Sequence, residues 1–318
     1  MPDPIAYAVP AFIALVLIEM LVAWRRDPRR YEPRDTAISL LLGFGSNIAG
    51  LLTAGLIYSL ALWLWRYRIA TVPTTWPWFV LCFVLDDLAY YAFHRSAHRV
   101  RWFWASHVVH HSSQHYNLST ALRQTWTGFF SLSFGFRLPL VLLGFPPAMV
   151  FFVGGLNLIY QFWIHTEMVG RLPRWIEAVM NTPSHHRVHH AINPRYLDRN
   201  YAGVFIVWDR LFGTFEPERA DDPPHYGIVR QLGSFNLLWA ALHEWIGIAR
   251  DVATAPSWKA RAGYLAREPG WSHDGGRETS DMIRARWRTT RREESEAWKK
   301  PTSSSSAADR AARRSPAG

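Results

Sequence analysis

The chain has 318 residues, a formal net charge of +10, and 49% hydrophobic and 15% aromatic residues with 17 tryptophans, an apolar load above that of an ordinary soluble domain. Its single cysteine, Cys82, excludes an intrachain disulfide and a cysteine-ligated metal cluster. The positive charge accompanies no nucleic-acid-binding module, so attraction to anionic lipid headgroups explains it and no nucleic-acid partner is expected.

The stretch from Ile5 to Trp24 is nearly uncharged, and about 20 such residues cross a bilayer. With no small-residue cleavage site and no basic segment before it, it reads as an anchor rather than a signal peptide. The loop Arg25-Arg26-Asp27-Pro28-Arg29-Arg30 follows, and the positive-inside rule puts it in the cytosol. A second apolar stretch, Thr36 to Trp65, contains Gly43, Gly45, Gly50 and Gly55, as helices that pack closely in lipid do. A third runs from Trp76 to about Phe93. The region Phe129 to Trp163 is broken by Gly144-Phe145-Pro146-Pro147, which predicts two helices in a hairpin. Counting crossings from the basic loop puts every histidine group on the cytosolic side. Trp63, Trp65, Trp76, Trp78, Trp102 and Trp104 fall where interfacial belts are expected. Phe235 to Ile248 is too short to cross and predicts a helix in the interface or against the histidines. From Ser257 to Gly318, Arg and Lys mix with Glu, Ser, Gly and Ala without apolar periodicity, which predicts disorder.

Ten of the fourteen histidines are grouped at the ends of these apolar stretches: His94 and His98; His107, His110 and His111; His165; and His185, His186, His189 and His190. Residues three and four apart share one helix face, so each group can aim two or three imidazoles at one point. Neutral imidazole is a common ligand of iron, zinc and copper, and ten exceed what one ion can hold. The spacing therefore predicts a cage for two metals. His225, His243 and His273 stand alone and read as surface or interfacial residues. Asp86, Asp87, Asn117, Glu167, Asp198, Asn200 and Asp209 are candidates to orient ligand imidazoles through the far ring nitrogen. Asp86 and Asp87 sit inside an apolar stretch where an unpaired charge is costly, which favours that role over helix packing. Asp198 and Asp209 are equally readable as loop partners of Arg199 and Arg210.

The strings DDLAYYAFHRSAH, WASHVVHHSSQHYNLSTALRQ, LIYQFWIHTE, NTPSHHRVHH and RNYAGVFIVWDRLFGTFE together resemble the fatty acid hydroxylase superfamily of membrane di-iron enzymes, which includes sterol desaturases. The likeness covers roughly residues 80 to 217, and NLSTALRQ, YQFWIHTE and NTPSHHRVHH point to its ether-lipid-cleaving branch. The resemblance implies that His94 and His98, then His107, His110 and His111, then His186, His189 and His190, with His165, ligate two iron ions that activate dioxygen. Where other hydroxylases of the superfamily have a further histidine one turn before His165, this chain has Gln161, a candidate to support the site, and His185 is expected to compensate. Arg99 stands where the animal ether-lipid enzymes carry an acidic residue, and a polar segment replaces their further hydrophobic C-terminal sequence. That branch implies tetrahydrobiopterin as electron donor, although no pterin site is readable.

The expected architecture is an all-α, multi-span helical membrane protein with a cytosolic histidine-rich cap holding two metals. It divides into N-terminal membrane helices (1–75), a catalytic region with a membrane hairpin (76–250) and a disordered tail (251–318). The expected function is oxygen-dependent hydroxylation or oxidative cleavage of a lipid: an ether lipid, a fatty acyl chain, or a sterol or carotenoid that is hydroxylated or desaturated. The partners are the bilayer, the lipid substrate and an electron-donor protein. A histidine-rich metal transporter is the alternative from another class, but it would need its ligands inside the spans, lining a path.

Overall fold

The computed structural model describes residue 1 and residues 3–299. Two long helices lead. Asp3 caps α1 (Pro4–Arg26) by accepting from the Ile5 amide, with Pro4 in the first turn. Glu32 caps α2 (Pro33–Trp65) in the same way from Asp35. The stretches Pro4–Arg26 and Pro28–Trp65 are long and apolar enough to cross a membrane, and most of their surface is uncovered by the rest of the chain. Of the expected spans, only these two meet that standard among the described residues. Ser133–Leu143 and Pro147–Trp163 are apolar but shorter, because the anticipated break divides that region. Gly144 ends α6 (Leu138–Leu143) at φ +109°, and a Cβ there would strike the Ala70 carbonyl. Pro147 then starts α7 (Pro147–Trp163).

The third apolar stretch becomes α3 (Trp76–Arg99), one continuous helix that carries His94 and His98 in its last turns. A single extended residue, Val100, separates it from α4 (Arg101–His111), so α4 turns back against α3. The remaining short helices of this region are α5 (Leu118–Ala121), α8 (Arg174–Val179), α9 (Pro183–His189) and α10 (Val207–Leu211). No named strand occurs among the described residues, only isolated bridges.

Glu19 is the one acid within α1 and is buried. It accepts from Tyr31 Oη, from the Leu118 amide at 2.7 Å and from Thr166 Oγ1. The carboxylate thereby ties the first helix to the start of α5 and to the segment that follows α7, and Phe12 stacks on Phe162 at 4.1 Å beside it.

The predicted disorder after residue 251 is corrected for the part described. α11 (Leu237–Thr254) runs further than the expected 235–248 and packs on α4 and α2. α12 (Trp258–Ala266) and α13 (Ser280–Lys299) follow. α12 packs Ala260 and Tyr264 against Val252, Ala255 and Trp271, and ion pairs tie down the segments on either side of it. Asp251 pairs with Arg101 and with Arg277, each at 2.6 Å, and Asp281 pairs with Arg99 at 2.7 Å. The expectation for 300–318 lies outside the described residues.

Candidate metal centre

Nine of the ten grouped histidines converge into two adjoining sets, one of His94, His98, His107, His111 and His189, the other of His110, His165, His186 and His190. Within each, the potential ligand atoms lie within 4.8 Å of one another. Helix geometry explains the division. On α4 the i,i+4 pair His107 and His111 serves the first set while His110 turns to the second. On α9 and its cap the sense reverses, His186 and His190 serving the second set and His189 the first. One face of each helix thus contributes to both sets, and the sets touch through His111 and His190, whose rings stack at 4.4 Å.

Backbone carbonyls orient four of the nine rings. Nδ1 of His94 donates to Tyr201 O at 2.7 Å, His189 to Arg199 O at 2.9 Å, His165 to Gln161 O at 2.7 Å and His110 to Arg123 O at 3.3 Å. A carbonyl only accepts, so in each of these neutral rings the proton is on Nδ1 and Nε2 is a bare lone pair. His110 Nε2 and His165 Nε2 nevertheless face each other at 3.1 Å. Neither can donate, and burial pushes His110 down to about 4, so a shared proton does not resolve the contact at neutral pH. A cation between them would. The orphaned, buried Nε2 of His98 is a further unfilled lone pair, since its Nδ1 faces Asp198 at 3.3 Å.

The spacing fits metal ligation. Two nitrogens each about 2.1 Å from one ion lie about 3.0 Å apart at a right angle and about 3.4 Å apart at the tetrahedral angle. The Nε2 pairs His94–His107, His107–His111, His111–His189, His165–His186 and His186–His190 measure 2.9, 3.1, 3.1, 3.0 and 3.3 Å. Burial, and next the neighbouring imidazoles, also hold His111, His186 and His190 well below the ordinary histidine range, keeping them in the neutral form that can ligate a metal.

His185, expected to stand in for a missing ligand, lies outside both sets. It faces Glu177 at 3.9 Å and packs edge-on against Phe215. Gln161 contributes only its carbonyl to His165, while its side chain donates to Asn157. Of the expected supporting side chains, Asp198 alone contacts a grouped imidazole. Asp86 and Asp87 are corrected to anchors of the surrounding chain. Asp86 pairs with Arg137 at 2.6 Å, and Asp87 accepts from the Val204 and Phe205 amides, Trp208 Nε1 and Asn157 Nδ2. Gly203 permits that approach, since a Cβ there would sit 2.7 Å from Asp87 Oδ1. Asp209 accepts from the Tyr201 and Ala202 amides rather than pairing with Arg210, and so holds the carbonyl that orients His94. Asn117 caps α5, Glu167 receives Tyr226 Oη, and Asn200 bonds the backbone of His185 and Glu216.

Sequence reading missed Arg123, which is 2% exposed. Its carbonyl takes His110, and its guanidinium reaches Val109 O, Ser112 Oγ and the Asp35 carboxylate. A lone charged residue following an apolar helix was the available signal.

Residues 79–214 match the family model described as fatty acid hydroxylase. The chain is similar to alkylglycerol monooxygenase of Danio rerio, 40% identical over 84% of this chain and 63% of that protein. It is also similar to alkylglycerol monooxygenase of Homo sapiens, 38% identical over 85% of this chain and 60% of that protein. A more distant relative is ornithine lipid hydroxylase of Rhizobium tropici, 29% identical over 45% of this chain and 44% of that protein. The chain spans 60–63% of the length of the two monooxygenases it matches. No solved structure matches.

Proposed function

We propose, from the match of residues 79–214 to the fatty acid hydroxylase family model, that this chain is a membrane di-iron oxygenase that hydroxylates or oxidatively cleaves a lipid, with an ether lipid as the favoured substrate. The single observation that carries the metal reading is the pair of bare nitrogens on His110 and His165 facing each other at 3.1 Å. His94, His98, His107, His111 and His189 would hold one iron, and His110, His165, His186 and His190 the other. When bound, two irons in neutral nitrogen ligands supply the electrons that activate dioxygen for attack on an unactivated C–H bond.

The chain's own residues do the rest. Tyr201 O, Arg199 O, Gln161 O and Arg123 O keep the Nδ1 protons in place, so every oriented ring presents a lone pair inward. Tyr116 and Tyr201 are fully buried beside the imidazoles and exclude water from that side. Arg187, paired with Glu218 at 2.7 Å and bonded to Thr166 O and Val169 O, locks α9 to the segment that follows His165.

The membrane reading keeps the cage on the cytosolic face, with α1, α2 and α3 as crossings and α6–α7 as the hairpin. The electron donor is a reduced pterin or an electron-transfer protein. Of the nine imidazoles, seven are buried and His107 and His110 half-buried, and this supports catalysis over ion transport, which needs ligands along an open path. The test is isotopic. Protein in lipid nanodiscs, given 18O2, a reduced donor and alkylglycerol, is expected to place label in the lipid product, and His110→Ala to abolish that product at unchanged expression. Retained labelled product in His110→Ala would refute the reading.

A further inference from the structure

A cavity of about 200 Å³ opens beside the cage, and Arg195, Arg199, Arg219, Arg284 and Arg288 line it against one carboxylate, Glu216. Five guanidiniums facing one acid repel one another, and in a chain with no ligand to neutralise them that arrangement costs stability. Partial pairing exists at the rim: Arg195 Nε lies 3.7 Å from Asp222, Arg219 Nε 3.1 Å from Asp221, and Arg284 contacts Asp281. Neither Arg199 nor Arg288 has a salt bridge among the described residues. Arg195 Nη1 and Arg199 Nε are buried donors without any hydrogen-bond partner. Buried donors of that kind are costly unless something outside the chain accepts from them. Trp287 forms one wall, with the Arg195 guanidinium over its ring at 5.2 Å, which fixes that fork's orientation.

The cavity is smaller than the 300 Å³ or so that drug-sized ligands need. It suits a compact, multiply charged acceptor, and guanidinium forks match the oxygens of a phosphoryl group two at a time. We propose that this cavity binds a phosphate-class oxyanion, carried on a lipid headgroup or free in solution, and that its occupancy is felt at the histidine cage through residues 195–201. The short segment between Arg195 and Tyr201 carries two of the cavity's arginines. The same segment supplies three acceptors to the first histidine set: Asp198 to His98, Arg199 O to His189 and Tyr201 O to His94. Arg284 joins the two, since its Nη1 donates to Leu197 O at 2.7 Å. An oxyanion clamped by Arg195, Arg199 and Arg284 tightens this segment. Only the second clause of the proposal rests on the metal reading; the anion site stands without it.

The experiment titrates inorganic phosphate into the full-length protein in neutral detergent by calorimetry. Loss of two charge-assisted contacts in Arg195→Gln/Arg288→Gln is expected to weaken binding by about tenfold or more, while Arg292→Gln, which pairs with Glu296 outside the cavity, is expected to bind as wild type. Arg288→Gln alone, at an exposed position, gives the same direction should the double variant fold poorly. Absence of binding in the wild type, or equal affinity in these variants, overturns the site. Repeating the titration in nanodiscs separates the sources: phosphatidate that suppresses the phosphate heat, where phosphatidylcholine does not, assigns a lipid headgroup, and persistence of the heat assigns free phosphate. In cobalt-loaded protein, phosphate is expected to shift the visible absorption of the wild type and not of the double variant. Binding without any such shift would overturn the coupling and leave the site.

Discussion

Asp198 is the point at which a side-chain substitution can reach the cage without touching a ligand. The rings of His94, His110, His165 and His189 are oriented by backbone carbonyls, which side-chain substitution does not delete, whereas His98 depends on the Asp198 carboxylate. Removing the partner of a ligating histidine costs about 10- to 100-fold in metal affinity, or about 1.4–2.8 kcal/mol. The Nδ1–Oδ1 distance of 3.3 Å puts the expected loss at the lower end, about tenfold. Asp198 also has φ +55°, where alanine adds about 1–2 kcal/mol of backbone strain and asparagine very little. Asp198→Ala is therefore expected to lose metal, and Asp198→Asn, which keeps both the acceptor oxygen and the backbone, to stay near wild type. Because His98 belongs only to the five-histidine set, the loss is selective. A chelator titration followed by iron analysis is expected to show one ion leaving Asp198→Ala at about tenfold lower chelator while the other stays. Equal loss of both ions, or wild-type retention of both, would refute the reasoning.

Arg123→Met strips the buried Asp35 carboxylate of its guanidinium, leaving Ser113 Oγ as its side-chain partner. Thermal unfolding in detergent is expected to show about 3–5 kcal/mol of destabilisation, largely recovered in Asp35→Asn/Arg123→Met; a double variant no better than the single would contradict this. His185→Ala is expected to keep the wild-type metal content and His186→Ala to lose it, and the reverse order in elemental analysis would reassign the ligands. Gln114, exposed beside the buried Ser112, is the place to test sidedness. With Cys82→Ala as background, Gln114→Cys is expected to react with an impermeant thiol reagent only after the cells are opened, and labelling of intact cells would reverse the orientation.

The histidine spacing exposed the cage directly, because i,i+3,i+4 is a property of the helix and needs no tertiary information. The split into five and four was not legible, since it depends on how α4 and α9 face each other. The orienting groups were hidden for a simpler reason: every residue has a carbonyl, so nothing in the letters marks Tyr201, Arg199 or Arg123 as acceptors. Asp198 and Asn200 did leave a trace, being residue types that tolerate the positive φ they both adopt. The same search for side-chain carboxylates misassigned Asp86 and Asp87, whose burial reflects Arg137 and the 203–208 loop rather than an imidazole. α13 escaped because its attachment is ionic, through Asp281, and ionic contacts between distant segments leave no periodicity; α12 escaped because its apolar face is only Ala260 and Tyr264, packed on Val252, Ala255 and Trp271.

The central claim is that the two histidine sets hold two irons. Protein purified anaerobically with ferrous iron and quantified by elemental analysis against amino-acid analysis is expected to carry two irons per chain, falling toward one in His165→Ala. A wild-type content near one, or full lipid oxidation with no bound iron, would contradict it.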